Sequence, residues 1–302
     1  MNPNIRIGTA SWADPDFVRD WYPAKLPARE RLRFYAERFD LVELNSSFYG
    51  IPDRRQVDEW NRVTPDGFLF DIKLHKALSR HSAERNSLPR ELQKLVGTEK
   101  KVMLNDELER AIVQHLLTVL DPLEKSGKLG AFLLQLTPGF SPRGNSLDEL
   151  AGLLDQFRAH RVAVEFRNRS WVNEERLPDT LAFLRDHNAA FVCVDAPAVD
   201  HFTVMPAVDA VTAPITYLRL HGRDAKAYLT GKTVAQRFNY EYSEEELKGV
   251  AERVTKLSEK AEQVHVVFNN NSSNYAPVAA RHLRQLFGQD PGPPVEISPK
   301  LL

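Results

Sequence analysis

Eight short runs of β-branched and aromatic residues, with amphipathic helical stretches between them, constrain this chain more than any other feature of its sequence. They fall at residues 5–12, 41–45, 68–75, 131–136, 161–167, 190–195, 215–221 and 264–270. Strand and helix patterns in alternation mean βαβ units, and βαβ units build a parallel sheet. Eight such units over about 250 residues match the size of a closed barrel. A doubly wound sheet is the competing arrangement, but no Gly-x-Gly-x-x-Gly turn follows the first run. The expected fold is α/β, a TIM-type (β/α)8 barrel of eight parallel strands filling residues 1–288, with a loose Pro-rich tail at 289–302.

The connections support this. Residues 28–39 carry Leu32, Tyr35, Ala36 and Phe39 at helical spacing, a stripe suited to packing on a barrel. Ser146 with Glu149, and Ser243 with Glu246, fit capping boxes that open helices at 147–159 and 244–262. The last helix is expected to begin near Pro277. Two connections depart from the rhythm. Residues 75–130 form a long insertion after the third strand, with a helix near 106–120. Residues 196–214 are interrupted by Pro197, Pro206 and Pro214, so the sixth helix is expected to be reduced or missing.

Charge and cysteine content narrow the function classes. With 40 basic and 41 acidic residues, the chain has no global attraction to nucleic acid or an anionic membrane. That argues against a nucleic-acid partner without removing a local patch. There is no apolar run of membrane-spanning length and no signal-peptide pattern at the start, so cytoplasm is the expected compartment. Cys193 is the only cysteine, which excludes an internal disulfide and reads as a small buried hydrophobe. Gly231, Lys232 and Thr233 lack the upstream glycine of a phosphate-binding loop. No cofactor is expected, and the oligomeric state is left open.

In a barrel of this kind chemistry sits at the carboxyl ends of the strands. Side chains alternate along each strand, and assigning the more polar set inward gives a consistent picture. Strand two then offers Glu43 and Asn45, strand three Asp71, Lys73 and His75, strand four Gln135, and strand five Glu165 and Arg167. Strand six offers Asp195, strand seven Tyr217, Arg219 and His221, and strand eight His265 and Asn269. A purely structural barrel interior is filled by Val, Ile and Leu. Buried charges cost several kcal/mol unless paired, so a scaffold layer (Glu43, Asp71, Arg219) beneath a working layer is expected.

Several stretches resemble the YecE-like family, the domain of unknown function numbered seventy-two. They are 7–12 (IGTASW), 42–49 (VELNSSFY), Trp60 with Thr64 and Pro65, 70–73 (FDIK) and, in outline, 134–136 (LQL). Further matches are 164–167 (VEFR) with Ser170 and Trp171, Asp195 with Pro197, 217–222 (YLRLHG), 240–247 (YEYSEEEL) and 268–270 (FNN). His81 resembles the family's loop histidine after strand three. One departure is the loop at 271–275 (NSSNY), where the family pattern leads to a turn with His or Gly. The resemblance implies a TIM-type barrel; it implies no reaction.

Three functional readings follow. In the first, the chain is an enzyme doing acid–base chemistry on a small anionic molecule, bearing phosphate or carboxylate. Glu165, Asp195 and His221 would be catalytic. Asn45, Tyr49, Lys73, His81, Gln135, Arg167, Arg219 and Asn269 would bind the substrate. In the second, Glu165, Asp195 and His221 hold a divalent metal for phosphoester hydrolysis or isomerisation, opposed by the surrounding cations. In the third, the barrel binds a nucleotide or single-stranded nucleic acid without chemistry, using Trp12, Trp21, Phe48, Tyr49 and Trp171 for stacking. Arg80, His81, Arg85 and Arg90 form a modest basic cluster in the insertion. The segment 222–242, after strand seven, is expected to fold over the mouth as a lid.

Overall fold

Eight parallel strands close on themselves in sequence order in the computed structural model, which describes residues 4–295. They are β1 (Ile5–Thr9), β2 (Leu41–Leu44), β3 (Leu69–Lys73), β4 (Leu129–Gln135), β5 (Arg161–Glu165), β6 (Ala189–Asp195), β7 (Ile215–Leu220) and β8 (Gln263–Phe268). The expected runs are a few residues longer at some carboxyl ends, because the chain leaves the ladder there to form loops. The fold is the TIM-type (β/α)8 barrel.

Register carries one parity around the ring. Glu43 pairs with Asp71, Lys73 with Leu133, Gln135 with Glu165, Ala163 with Ala190, Val194 with Arg219, and Arg219 with Val267. This set faces the axis, because Arg219 on β7 hydrogen-bonds Glu43 on β2, which is not its neighbour in the sheet. Asp195 falls on the other parity, opposite Leu220. It therefore points into the helix layer, which corrects its inward assignment.

The seam between β1 and β2 is narrow, paired only at Gly8↔Leu41 and Thr9↔Val42. A Cβ on Gly8 would lie 1.9 Å from the Leu41 carbonyl oxygen, so only glycine lets the strands meet. The fully buried Tyr35 hydroxyl bridges the same seam, accepting from Thr9 N at 2.9 Å and donating to Leu41 O at 2.9 Å. Tyr35→Phe should strand both backbone groups in the core and cost about 1–3 kcal/mol, read as a lower urea midpoint with an unchanged m-value.

The connections bear out most of the sequence reading. The stretch from Ala28 forms a 3-10 turn (Ala28–Glu30) and a helix (Arg31–Ala36) that buries Leu32, Tyr35 and Ala36. Both capping boxes form; the first opens a 3-10 turn at Leu147–Leu150 and the second the helix Glu244–Ser258. The final helix, Tyr275–Leu286, starts two residues before Pro277. No helix lies between β6 and β7. The insertion after β3 holds the helix Asp106–Lys125 and a short antiparallel bridge, Glu84↔Lys101. The tail is not loose as far as Val295. Gln289 Nε2 donates to Ile5 O at 2.8 Å and Arg284 Nε to Asp290 O at 3.0 Å, tying the segment to the barrel's amino-terminal end. Within the described residues no helix is long and apolar enough to cross a membrane.

Candidate active site at the barrel mouth

Polar side chains fill the barrel axis in three levels. In the lowest, Asp71 accepts from the backbone N–H of Ala131 at 2.7 Å and from His265 Nδ1 at 2.8 Å. The β3–β4 register shifts between Phe70 and Ile72, and the Asp71 carboxylate binds the amide displaced by that irregularity. A Cβ at Gly130 would sit 2.3 Å from Asp71 Oδ1, so this glycine makes room for the carboxylate. Asp71 is thus committed to the backbone.

The middle level is a charged chain closed to solvent. Arg219 gives Nε (2.9 Å) and Nη2 (2.6 Å) to the two oxygens of Glu43, and Nη1 (2.5 Å) to Glu165. The Tyr217 hydroxyl donates to Glu43 at 2.9 Å. Arg219, Glu43 and Glu165 are all fully buried. The bidentate fork and the second carboxylate compensate one another's desolvation. Burial opposes the charge on Arg219, but Glu165 and Glu43 outweigh it and raise its pKa further.

Glu165 links this level to the mouth. It also accepts from Gln135 Nε2 at 3.0 Å, from His221 Nε2 at 3.2 Å and from Arg167 Nη1 at 3.5 Å. Burial pushes its carboxyl up, yet Arg219, His221 and Arg167 together hold it well below the usual carboxylate range. A carboxylate so firmly ionised is a poor proton carrier near neutral pH, and its geometry is that of an organiser.

His221 is committed as well. Asn269 Nδ2 faces its Nδ1 at 3.0 Å, so the ring keeps its single proton on Nε2, directed at Glu165. Burial depresses the ring's pKa to about 4 against the pull of Glu165. Phe238 lies over it with ring centroids 5.4 Å apart. His221 is neutral and held.

The groups left with capacity are Lys73 and Arg167. Lys73 ends β3 with its ammonium 4.5 Å above the centre of the Phe48 ring, and no described carboxylate pairs with it. Burial pushes its pKa down to about 7; Arg219 and Arg167 act the same way, and Glu43 and Glu165 oppose them. The Arg167 side chain is 18% exposed, donates to the Tyr228 hydroxyl at 3.1 Å, and leaves its buried Nε without a partner among the described residues. His81 borders this corner, with Nε2 3.2 Å from the Gln135 carbonyl and its ring edge-on to Phe48. Burial lowers its pKa too, against the hydrogen bond to Gln135.

The segment after β7 covers the mouth from one side. Its helices Ala225–Thr230 and Val234–Arg237 bring Tyr228 to Arg167 and Phe238 to His221. Sequence marks Tyr228 only as one residue of the expected lid and does not mark Phe238, since their roles exist only once the loop folds back.

Other expected members stand apart. Asp195 is held by Arg223 (2.9 and 2.7 Å) and by the Tyr242 hydroxyl (2.9 Å), with Arg253 at 3.7 Å, all outside the barrel. It cannot share proton transfer with Glu165, and the metal set of Glu165, Asp195 and His221 does not assemble. Among the described residues no three His, Cys, Asp or Glu side chains converge as metal ligands. Asn45 Nδ2 donates to Ala10 O at 2.7 Å, fixing the loop after β1, while its buried Oδ1 has no described partner. Tyr49 is 64% exposed on the rim. Trp21, Phe48 and Trp171 are buried, and Trp12 packs edge-on against Trp60 and Phe70, so these rings are not a stacking platform for bases. Arg80 is spent on Glu109 at 2.8 Å, and Cys193 is buried. A cleft of about 360 Å³ opens at the opposite end of the barrel, between Leu129, Arg161, Asn188 and Ile215. That is the face where such folds keep stability rather than chemistry.

With the mouth described, comparison with known proteins places it. The family described as protein of unknown function DUF72 matches residues 6–300. This chain belongs to the DUF72 family. A solved DUF72 protein from Enterococcus faecalis V583 superimposes with a TM-score of 0.76 at 28% identity, covering 99% of both chains. Another DUF72 structure, from Thermotoga maritima MSB8, gives a TM-score of 0.72 at 26% identity over 94% of this chain and 99% of its own. In sequence, UPF0759 protein YunF of Bacillus subtilis (strain 168) is 28% identical over 287 residues, 94% of each chain. UPF0759 protein YecE of Escherichia coli (strain K12) matches 139 residues at 29% identity, 46% of this chain and 40% of its own length. Two of the stretches that carry the sequence resemblance lie at the site: VEFR supplies Glu165 and Arg167, and YLRLHG supplies Tyr217, Arg219 and His221.

Proposed function

We propose that this DUF72 chain is an enzyme performing acid–base chemistry on a small molecule that bears a phosphate or carboxylate, bound at the carboxyl end of the barrel. The observation that carries this reading is the charge left over after pairing. Asp71 is taken by Ala131 and His265, and Asp195 by Arg223, so among the described residues the axis retains only the carboxylates Glu43 and Glu165 near the mouth. Against them stand Arg219, Arg167 and Lys73, an excess of positive groups where a ligand enters. Arg219 is spent on the two carboxylates; Arg167 and Lys73 face the opening.

In this reading Arg167 anchors the anion and Lys73 exchanges the proton, its pKa of about 7 suiting it to carry a proton either way. Glu165 positions Arg167, His221 in turn holds Glu165, and neither touches substrate, a change from the catalytic roles expected for them. The segment after β7 excludes water through Tyr228 and Phe238.

The test is ligand-linked stability. Inorganic phosphate or citrate should raise the melting temperature above that in chloride of equal ionic strength, because a ligand that prefers the folded state stabilises it by mass action. Arg167→Ala should weaken that binding about tenfold or more, the scale of a lost charged hydrogen bond. Identical shifts in both proteins, or none in either, refute the anion site.

A further inference from the structure

The lysine at the end of β3 differs from every other cation of the mouth in what holds it. Arg219 is gripped by two carboxylates, and Arg167 by Glu165 and Tyr228. The Lys73 amine has an aromatic face beneath it, charges of both signs around it, and no described hydrogen-bond partner that accepts its proton. Its backbone is fixed: Ser47 Oγ donates to Lys73 O at 2.6 Å, and β3 is paired on both sides. A lysine partly withdrawn from water, with Arg219 and Arg167 opposing its charge against Glu43 and Glu165, has an available lone pair, which is how amine nucleophiles are made.

We propose that Lys73 forms an imine with a substrate carbonyl, so that the molecule bound here carries an aldehyde or ketone together with its phosphate or carboxylate. This deepens, and rests on, the anion-binding reading above. The neutral Nζ adds its electron pair to the carbonyl carbon, and the C=O π pair moves to oxygen. A proton passes from nitrogen to that oxygen to give the carbinolamine. Uptake of one proton from solvent then expels water as the C=N⁺ bond forms. Arg167 holds the anionic end, and Phe48 keeps water from the nitrogen.

Pyridoxal 5′-phosphate serves as the probe, being an aldehyde with a phosphate. With borohydride added, hydride delivery to the imine carbon fixes the adduct as a secondary amine, located by peptide mass spectrometry. Lys73 should be labelled at least tenfold faster than exposed lysines such as Lys125 and Lys248 at pH 7.5, and faster still as the pH rises through about 7. Inorganic phosphate should protect it, and pyridoxal without phosphate should label it at least tenfold more slowly. Lys73→Arg, which keeps the cation, should lose the adduct while still gaining thermal stability from phosphate. If phosphate stabilises the wild type but Lys73 labels no faster than exposed lysines, the imine is overturned and the anion site stands. If Lys73 labels rapidly with pyridoxal and phosphate neither protects nor stabilises, the anchoring reading falls and the nucleophile remains. Failure of both measurements overturns both.

Discussion

Arg219→Met is expected to lower the unfolding free energy by about 3–5 kcal/mol, the cost of leaving charge buried and unpaired. The guanidinium is fully buried and makes three bonds to Glu43 and Glu165. Methionine fills much of the volume and supplies no donor. The two carboxylates would then face each other across the axis, and the pKa of Glu165, freed of the guanidinium that holds it down, must move up. The sign of the acid-range slope follows. In the wild type Glu165 is held below its ordinary value, so its contribution is present above about pH 4.5 and is lost as pH falls. In Arg219→Met burial prevails and the Glu165 carboxyl binds its proton more tightly when folded than unfolded. Stability should then fall as pH rises above that range, inverting the wild-type trend. Urea unfolding at pH 4, 5.5 and 7 reads both effects. Adding Glu43→Gln and Glu165→Gln should recover much of the loss, since the penalty comes from unpaired charge and these three residues couple directly. A loss under about 1 kcal/mol at every pH, on the scale of an exposed ion pair, contradicts a sealed network.

The barrel was legible because it depends on periodicity. Period-two runs, capping boxes at Ser146 and Ser243 and the prolines of 196–214 are local signals, and local chemistry decides them. The axis-facing set was legible for the same reason on strands two, three, four, five, seven and eight, where alternation continues to the last paired residue. It failed at Asp195 because polarity was taken as evidence of inward parity. The residues that make Asp195 comfortable outside, Arg223, Tyr242 and Arg253, lie 28 to 58 positions later, and no pattern within β6 reveals them. The division of labour at the mouth was illegible in a further way. Glu165, His221 and Lys73 are all plausible proton carriers by residue type. Only the bonds they make separate them: donors surround Glu165, both ring nitrogens of His221 are engaged, and Lys73 has an aromatic ring for company. The tail shows the same limit, since its Pro-rich composition conceals the backbone carbonyls that Arg281 and Arg284 bind.

Lys73→Met is expected to stabilise the protein near pH 6. Folding takes the Lys73 ammonium from an ordinary value of 10.5 down to about 7. Between those values the unfolded chain holds a proton that the folded protein has released, so stability rises with pH across that window. Below pH 7 both states are protonated, and the folded state bears the whole cost of a charge drawn from water by burial and opposed by Arg219 and Arg167 more than Glu43 and Glu165 relieve it. Methionine removes that cost and keeps a favourable contact with an aromatic ring such as Phe48. The gain should be roughly 2–3 kcal/mol at pH 6, less than the full shift implies because the side chain is partly exposed. It should shrink through pH 7 to 10 and vanish near 10.5. Paired denaturation curves at pH 6 and 10 measure it. A substitution that strengthens the fold while abolishing the borohydride-trapped adduct marks a position whose native residue serves chemistry at the expense of stability. If Lys73→Met instead weakens the protein equally at both pH values, the lysine is a packing element held by Phe48. The proposed proton carrier of the mouth would then be lost.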